Sequence, residues 1–296
     1  MSLPWYILGC GAMGSLHAAQ LDRAGESVIM LPRSTPPGGG PLQLEICGLS
    51  TSRHALPWQA PEASAPIDRL LVLTKAYDVA AAIGSVARRL TPQSQVVLMA
   101  NGMGYAEEIA ARLPGLSLAF GTSTQGAHRT VDGKVHHAGL GSTRVGMPGV
   151  IDAPAWFSPL GQALPDCEWE ADISMALWQK LAVNCAINPL TSLHNCRNGE
   201  LARDPHLAQK VRDVCGEIAE VAEAAGQVLP DLESRVFSVI DATADNRSSM
   251  LQDVSRGQRT EIDYINGYLV RQARQLAVPA PLNEALWHAV RDLTAP

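Results

Sequence analysis

The sequence predicts an α/β domain over residues 1–168, followed by an all-helical domain over residues 169–296. Three observations carry that expectation. In the first half, short apolar runs alternate with helical patterns, the signature of βαβ units and a parallel sheet. A glycine turn, Gly9-Cys10-Gly11-Ala12-Met13-Gly14, follows the first of those runs. Beyond about Glu170 helical periodicity dominates and strand signal fades, which puts the boundary near Asp166 to Ala171. A length of 296 residues suits two domains of roughly 150 each.

Trp5 to Leu8 reads as the first strand, Ser15 to Ala24 as a helix stopped by Gly25, and Ser27 to Leu31 as the second strand. A Pro/Gly-rich passage from Pro32 to Pro66 follows, with one strand expected at Leu42 to Cys47. Leu70 to Thr74 and Val96 to Ala100 suit buried strands, separated by a helix over Val79 to Leu90. Leu116 to Phe120, Lys134 to His137 and Thr143 to Gly146 are expected to finish the sheet. Helices are predicted over Ile173 to Leu190, Pro205 to Ala225, Leu232 to Ala244 and Glu261 to Leu276.

Hydrophobic residues make up 46% and charged residues 18%, enough for a packed core. A net charge of −6 offers no general attraction to nucleic acid or an acidic membrane. The six cysteines show no CxxC pair and no metal-ligand spacing with histidine, so reduced thiols and no metal are expected. The segment Met1 to Leu8 lacks a basic run, and no apolar stretch approaches the ~20 residues of a membrane span. The chain therefore reads as soluble and cytoplasmic. His17, His54, His136, His137 and His206 join no motif and read as surface or packing residues.

GxGxxG after a strand and at the opening of a helix marks a Rossmann-type dinucleotide site. One glycine permits the tight turn, the next admits a pyrophosphate, and the third brings the helix onto the strand. The helix N-terminus, near Met13, adds free N–H groups and a positive dipole end. An NAD enzyme would place an acid near the end of the second strand, but none occurs between Ser27 and Leu44. Arg33, beside Ser34, stands there instead. A guanidinium suits a 2′-phosphate, so NADP(H) is the expected cofactor; the plainer role for Arg33 is a solvated loop residue.

Lys180, Asn184 and Asn188 recur at i, i+4 and i+8, on one face of an otherwise apolar helix. Reduction of a ketone needs a proton and a stabiliser for the growing oxyanion. A desolvated lysine supplies both, with its pKa lowered by burial. Lys180 fits that role, against the alternatives of a solvated polar stripe or a lysine held by a structural ion pair. Glu261, at the start of its predicted helix, reads equally as a functional carboxylate or as a residue serving the helix terminus.

Taken with GCGAMG, the segments Leu73-Thr74-Lys75-Ala76, NGMG at 101–104, WQKLAVNCAINPLT at 178–191, HNCRNGEL at 194–201, SSMLQD at 248–253 and TEIDYINGYL at 260–269 resemble the 2-dehydropantoate 2-reductase (ketopantoate reductase) family along essentially the whole chain. The resemblance implies NADPH-dependent reduction of ketopantoate to pantoate, on the route to pantothenate and coenzyme A. It implies Lys180 as general acid, with Asn184, Asn188 and Asn198 as substrate-pocket amides. Asn246, Ser248 and Ser249 would contact the substrate, Lys75 and Asn101 would lie beside the nicotinamide and ribose, and Ala127 would offer backbone contact to the cofactor. Glu261 would close the cleft near both ligands, as a catalytic or a positioning group. Departures from the family pattern lie mainly at Ser34 to Pro66 and at the C-terminus. Two other readings stand beside this one: a reductase of another branched 2-keto acid, and a non-catalytic NADP(H)-sensing protein. The partner expected is a small-molecule 2-keto acid, with the chain a monomer or homodimer.

Overall fold

The apolar runs of the first half form the centre of a sheet because parallel strands are covered on both faces and must be apolar throughout. In the computed structural model, which describes residues 3–293, Trp5, Ile7, Leu70, Leu71, Val72, Val96, Val97 and Leu98 are all fully buried. The chain divides into two units. One runs to Ala100 and resumes over Tyr105–Ala176; the other comprises Asn101–Gly104 and the chain from Leu177 onward. Residues 1–2 and 294–296, the outer ends of the two predicted domains, lie outside the described residues.

The first unit contains β1 (Trp5–Leu8), β2 (Val28–Leu31), β3 (Leu42–Gly48), β4 (Ser52–Leu56), β5 (Arg69–Val72), β6 (Gln95–Leu98), β7 (Leu118–Ser123), β8 (Gly126–Arg129), β9 (Val135–Gly139), β10 (Thr143–Gly146) and β11 (Cys167–Trp169). Its helices are α1 (Ala12–Arg23), α2 (Ala76–Val86), α3 (Tyr105–Arg112) and α4 (Phe157–Ala163). Seven strands form one sheet in the order β11-β10-β7-β6-β5-β1-β2, parallel from β2 to β7. From β1 the chain passes to β2 on one side and later to β5 on the other. The carboxyl ends of β1 and β5 therefore flank a topological switch point, the usual place for a ligand in such a sheet.

A second sheet has the order β4-β3-β9-β8 and packs against α1 through Leu16, Ala19, Ile46 and Val135. The strand expected at Leu42 to Cys47 is present here as β3. One expectation needs correction: the strand predicted at Lys134 to His137 belongs to this sheet and does not finish the main one. The parallel pairing of Ile46 with Val135 holds the two strands together, and apolar periodicity cannot reveal such a partner choice.

The second unit is helical: α5 (Ile173–His194, of which residues from Leu177 belong here), α6 (Glu200–Arg203), α7 (Pro205–Ala224), α8 (Leu232–Ala242), α9 (Ser249–Ser255), α10 (Asn266–Gln275) and α11 (Pro281–Leu293). Its core gathers Leu181, Ala182 and Ala186 of α5 with Val211, Val214 and Ile218 of α7, Val236 and Ile240 of α8, and Leu269 of α10. Each Leu, Val or Ile side chain among them contributes about 1.5–3 kcal/mol on burial. The α7 start is set by Asp204, whose carboxylate accepts from the His206 and Leu207 N–H groups, with Pro205 in the first helical position. The helix predicted over Glu261 to Leu276 is instead a single 3-10 turn, Ile262–Tyr264, followed by α10. Among the described residues no helix is long and apolar enough to cross a membrane.

Candidate active site

The glycine loop leaves β1 and enters α1 at Ala12, one turn earlier than the helical pattern alone indicates, with Gly11 as the N-cap. The Ser15 N–H donates to the Gly11 carbonyl at 3.0 Å, so the N–H groups before it remain available to an anion. A Cβ on Gly11 would meet no atom within 4 Å. One on Gly14 would lie 1.8 Å from the Gly9 carbonyl oxygen and 3.6 Å from Ile7 Cγ2. Gly11 thus keeps space clear before the helix terminus, and Gly14 permits the contact of helix and strand. These are the demands of a pyrophosphate cradle, so the residues present fit a dinucleotide.

Around the loop, Cys10 is partly buried, and desolvation pushes its thiol up to about 11 against the opposing charge of Arg129. The Arg129 guanidinium donates to the Cys10 carbonyl at 2.6 Å and to Ser15 Oγ at 3.2 Å. Sequence reasoning missed this residue: it lies more than a hundred positions from the loop, on a strand with no apolar alternation. Arg33 is where it was expected, just past β2, with its side chain 84% exposed and its guanidinium 2.7 Å from Asp78. Lys75 stands at the N-cap of α2. Ala127 lies on β8, opposite His137, and packs against the Leu16–Ala19–Ile46–Val135 cluster.

In the second unit, α5 presents Lys180, Asn184 and Asn188 four residues apart. The fold buries Asn188 and leaves Lys180 and Asn184 half-buried. Packing around the Lys180 ammonium lowers its pKa from 10.5 to about 8, with the Glu261 charge acting in the opposite sense. Glu261 is buried, and its Oε2 accepts from Asn101 Nδ2 at 3.1 Å. Asn101 is placed by the neighbouring backbone, where the Met103 N–H donates to the Tyr264 carbonyl at 2.8 Å. The structure thus brings Lys180, Glu261 and Asn101 into one electrostatic group within this unit.

The remaining predicted residues are engaged differently. Ser248 caps α9, its Oγ accepting from the Leu251 N–H at 3.1 Å while lying 2.7 Å from Thr191 Oγ1. Ser249 is the exposed first residue of α9, and Asn246 is exposed before it. Asn198 is buried, donating from Nδ2 to Thr243 Oγ1 at 2.8 Å and from its backbone N–H to the Asn246 carbonyl. Thr191 and Thr243 are additions that the spacing of asparagines did not signal. Among the described residues, no group of three or more His, Cys, Asp or Glu side chains could hold a metal ion.

A mixed α/β unit with a dinucleotide-type glycine loop, followed by a helical unit carrying a desolvated lysine and a carboxylate, defines a two-unit oxidoreductase. The chain belongs to the ketopantoate reductase family. Residues 5–149 match the family model "Ketopantoate reductase PanE/ApbA", and residues 172–294 match its C-terminal counterpart. A 2-dehydropantoate 2-reductase of Yersinia pestis is 39% identical, covering 96% of this chain and 93% of that protein. One from Vibrio cholerae is 37% identical, covering 97% and 96%. Among solved structures, a PanE/ApbA family ketopantoate reductase from Ralstonia eutropha superposes with a TM-score of 0.88 at 27% identity, covering 99% of this chain and 98% of that one. A D-mandelate dehydrogenase reaches the same TM-score at 21% identity over 99% and 98%, a likeness of fold.

Proposed function

We propose that the chain reduces ketopantoate to pantoate with NADPH. The observation that carries this reading is the Lys180 ammonium, lowered to about 8 beside Glu261 and sharing a helix face with Asn184 and Asn188. When bound, NADPH supplies the hydride to the 2-keto carbon. Lys180 donates a hydrogen bond to the keto oxygen, stabilises the negative charge that grows there, and then yields its proton. A pKa near 8 keeps the ammonium mostly charged at neutral pH yet makes it a better acid than an ordinary lysine. Asn184 and Asn188 offer amide donors to the substrate's carboxylate and hydroxyl, and Asn198, Asn246, Ser248 and Ser249 complete that pocket. Glu261 and Asn101 hold Lys180 and the nicotinamide side in register. Gly9 to Gly14 cradle the pyrophosphate, and Lys75 and Ala127 contact the rest of the cofactor. In this reading the domain boundary is near residue 168, the chain works in the cytoplasm, and its product enters pantothenate and coenzyme A synthesis.

The preference for NADPH follows from Arg33. Its pair with Asp78 is solvent-exposed, and such surface pairs are weak, so the guanidinium is available to a 2′-phosphate. Arg33→Ala is expected to weaken NADPH binding roughly tenfold, the worth of one exposed charge-assisted contact, while NADH binding stays nearly constant. Fluorescence titration of both cofactors measures this, and equal losses would remove the 2′-phosphate contact. The reading as a whole is tested by following oxidation of the reduced nicotinamide with ketopantoate, with NADH and 2-ketoisovalerate as controls. Turnover only with another keto acid would keep the mechanism and change the substrate. Silence on every keto acid would sink the reductase reading.

A further inference from the structure

Pro189 lies inside α5. Proline has no backbone N–H, so the carbonyl four residues earlier loses its helical donor. That carbonyl belongs to Cys185, in the turn between Asn184 and Asn188. Cys185 is fully buried, which denies the oxygen a solvent partner. The donor it receives is Nδ2 of Asn266, at 3.1 Å.

Asn266 is also fully buried, as is Asn283, whose Oδ1 accepts from the same Nδ2 at 3.0 Å. Asn283 is fixed in turn by Glu217, whose Oε2 accepts from its backbone N–H and its Nδ2, each at 2.9 Å. Glu217 Oε1 accepts from the Leu282 N–H at 2.8 Å. A carboxylate on α7 thus anchors the start of α11, which orients Asn266, which meets one carbonyl of α5. Asn266 in turn follows Glu261 by five residues. The turn between them is closed by the Tyr264 and Ile265 N–H groups, both donating to the Glu261 carbonyl, at 2.9 and 3.1 Å.

We propose that Asn266 is a positioning residue: by supplying the donor that Pro189 lacks, it locks the segment carrying Glu261 onto the turn of α5 between Asn184 and Asn188, and so sets the spacing of Glu261 from Lys180. Its kinetic consequence rests on the reductase reading; its geometry does not. Met or Leu here would fill the volume but leave the Cys185 oxygen without a donor.

Asn266→Ala, Pro189→Ala and the double variant, each in the full chain, separate positioning from mere hydrogen-bond satisfaction. Asn266→Ala strips the carbonyl of its donor. The double variant returns a donor, the backbone N–H that replacing the proline restores, but not the tie to Glu261. The expected result is a melting temperature that falls in Asn266→Ala and recovers in part in the double variant, where Asn283 Oδ1 still lacks its donor. Turnover falls roughly tenfold in both, because small misplacements of reacting groups are costly.

An activity-independent readout is the Lys180 side-chain titration, followed by ¹³Cε NMR in a chain with only four lysines. Glu261 is the charge that raises Lys180, so its displacement moves the midpoint down in both variants that lack Asn266. Recovery of turnover along with melting temperature in the double variant would reduce Asn266 to a partner for an orphaned carbonyl and overturn the proposal. A melting temperature that fails to recover would overturn the link to Pro189. Should Asn266→Ala fail to fold, the double variant against Pro189→Ala carries the same comparison. If the parent chain reduces no keto acid, the reductase reading falls and the Lys180 titration alone decides: a downward shift sustains the proposal, and an unmoved midpoint overturns it.

Discussion

Lys180→Ala is expected to lower ketopantoate turnover by on the order of 10²-fold or more, the usual loss when a general acid is removed, while NADPH still binds. In the proposed mechanism the side chain supplies both the oxyanion's counter-charge and the proton, so no neighbour replaces it. Asn184 and Asn188 donate hydrogen bonds but cannot release a proton at neutral pH. The same assignment fixes the pH dependence. Reduction requires the ammonium form, so turnover holds below the Lys180 pKa and falls as pH rises through about 8. An ordinary lysine would sustain the rate to pH values of about 10. Glu261→Gln removes the charge that raises the lysine, so the falling limb moves to lower pH. Steady-state kinetics across the pH range measures all three. A Lys180→Ala variant within a few-fold of the parent, or a limb unmoved in Glu261→Gln, would refute the role given to Lys180.

How much of this was legible in the sequence depends on whether the signal is local. The glycine loop and β1 are adjacent in the chain, and the turn's steric demands are written in three residues. Lys180, Asn184 and Asn188 sit on one helix, so a spacing of four was enough to align them. The helical unit was visible from periodicity, although α11 has no counterpart among the predicted helices and Glu261 precedes a 3-10 turn and not an α-helix.

What was illegible depends on partners distant in sequence. The strand β4, Ser-Arg-His-Ala-Leu, carries only one strongly apolar residue. It pairs because β3 lies beside it and because His54 lies 2.6 Å from Asp22 Oδ2. The second sheet, the grip of Arg129 on the glycine loop and the support of Glu261 by Asn101 all join residues far apart in the chain. No pattern in a single sequence encodes those meetings. Asn266 is an intermediate case. Proline inside a predicted helix announces an orphaned carbonyl, but only the fold shows which donor answers it.

The glycine loop allows two effects that usually occur together to be separated. Gly14→Ala places a Cβ 1.8 Å from the Gly9 carbonyl oxygen, and that neighbour is backbone, with no rotamer by which to move aside. Either α1 lifts from β1 or the turn deforms. The expected cost is about 1–3 kcal/mol of stability, as for an overpacked core, together with a loss of NADPH affinity of about 10²-fold, because the amide groups no longer converge on the phosphates. Gly11→Ala places its Cβ in open space, with no atom within 4 Å, so the fold keeps its stability. In the proposed cofactor site that space is where the pyrophosphate approaches the backbone, and the methyl group would stand in its way. Gly11→Ala is therefore expected to melt like the parent while binding NADPH at least about tenfold more weakly. Thermal melting and fluorescence titration of the two variants decide the matter. Parent-like NADPH affinity in Gly11→Ala would show that the cofactor does not lie over this turn, whereas stability loss in both would mean that the loop's glycines serve only the packing of helix on strand.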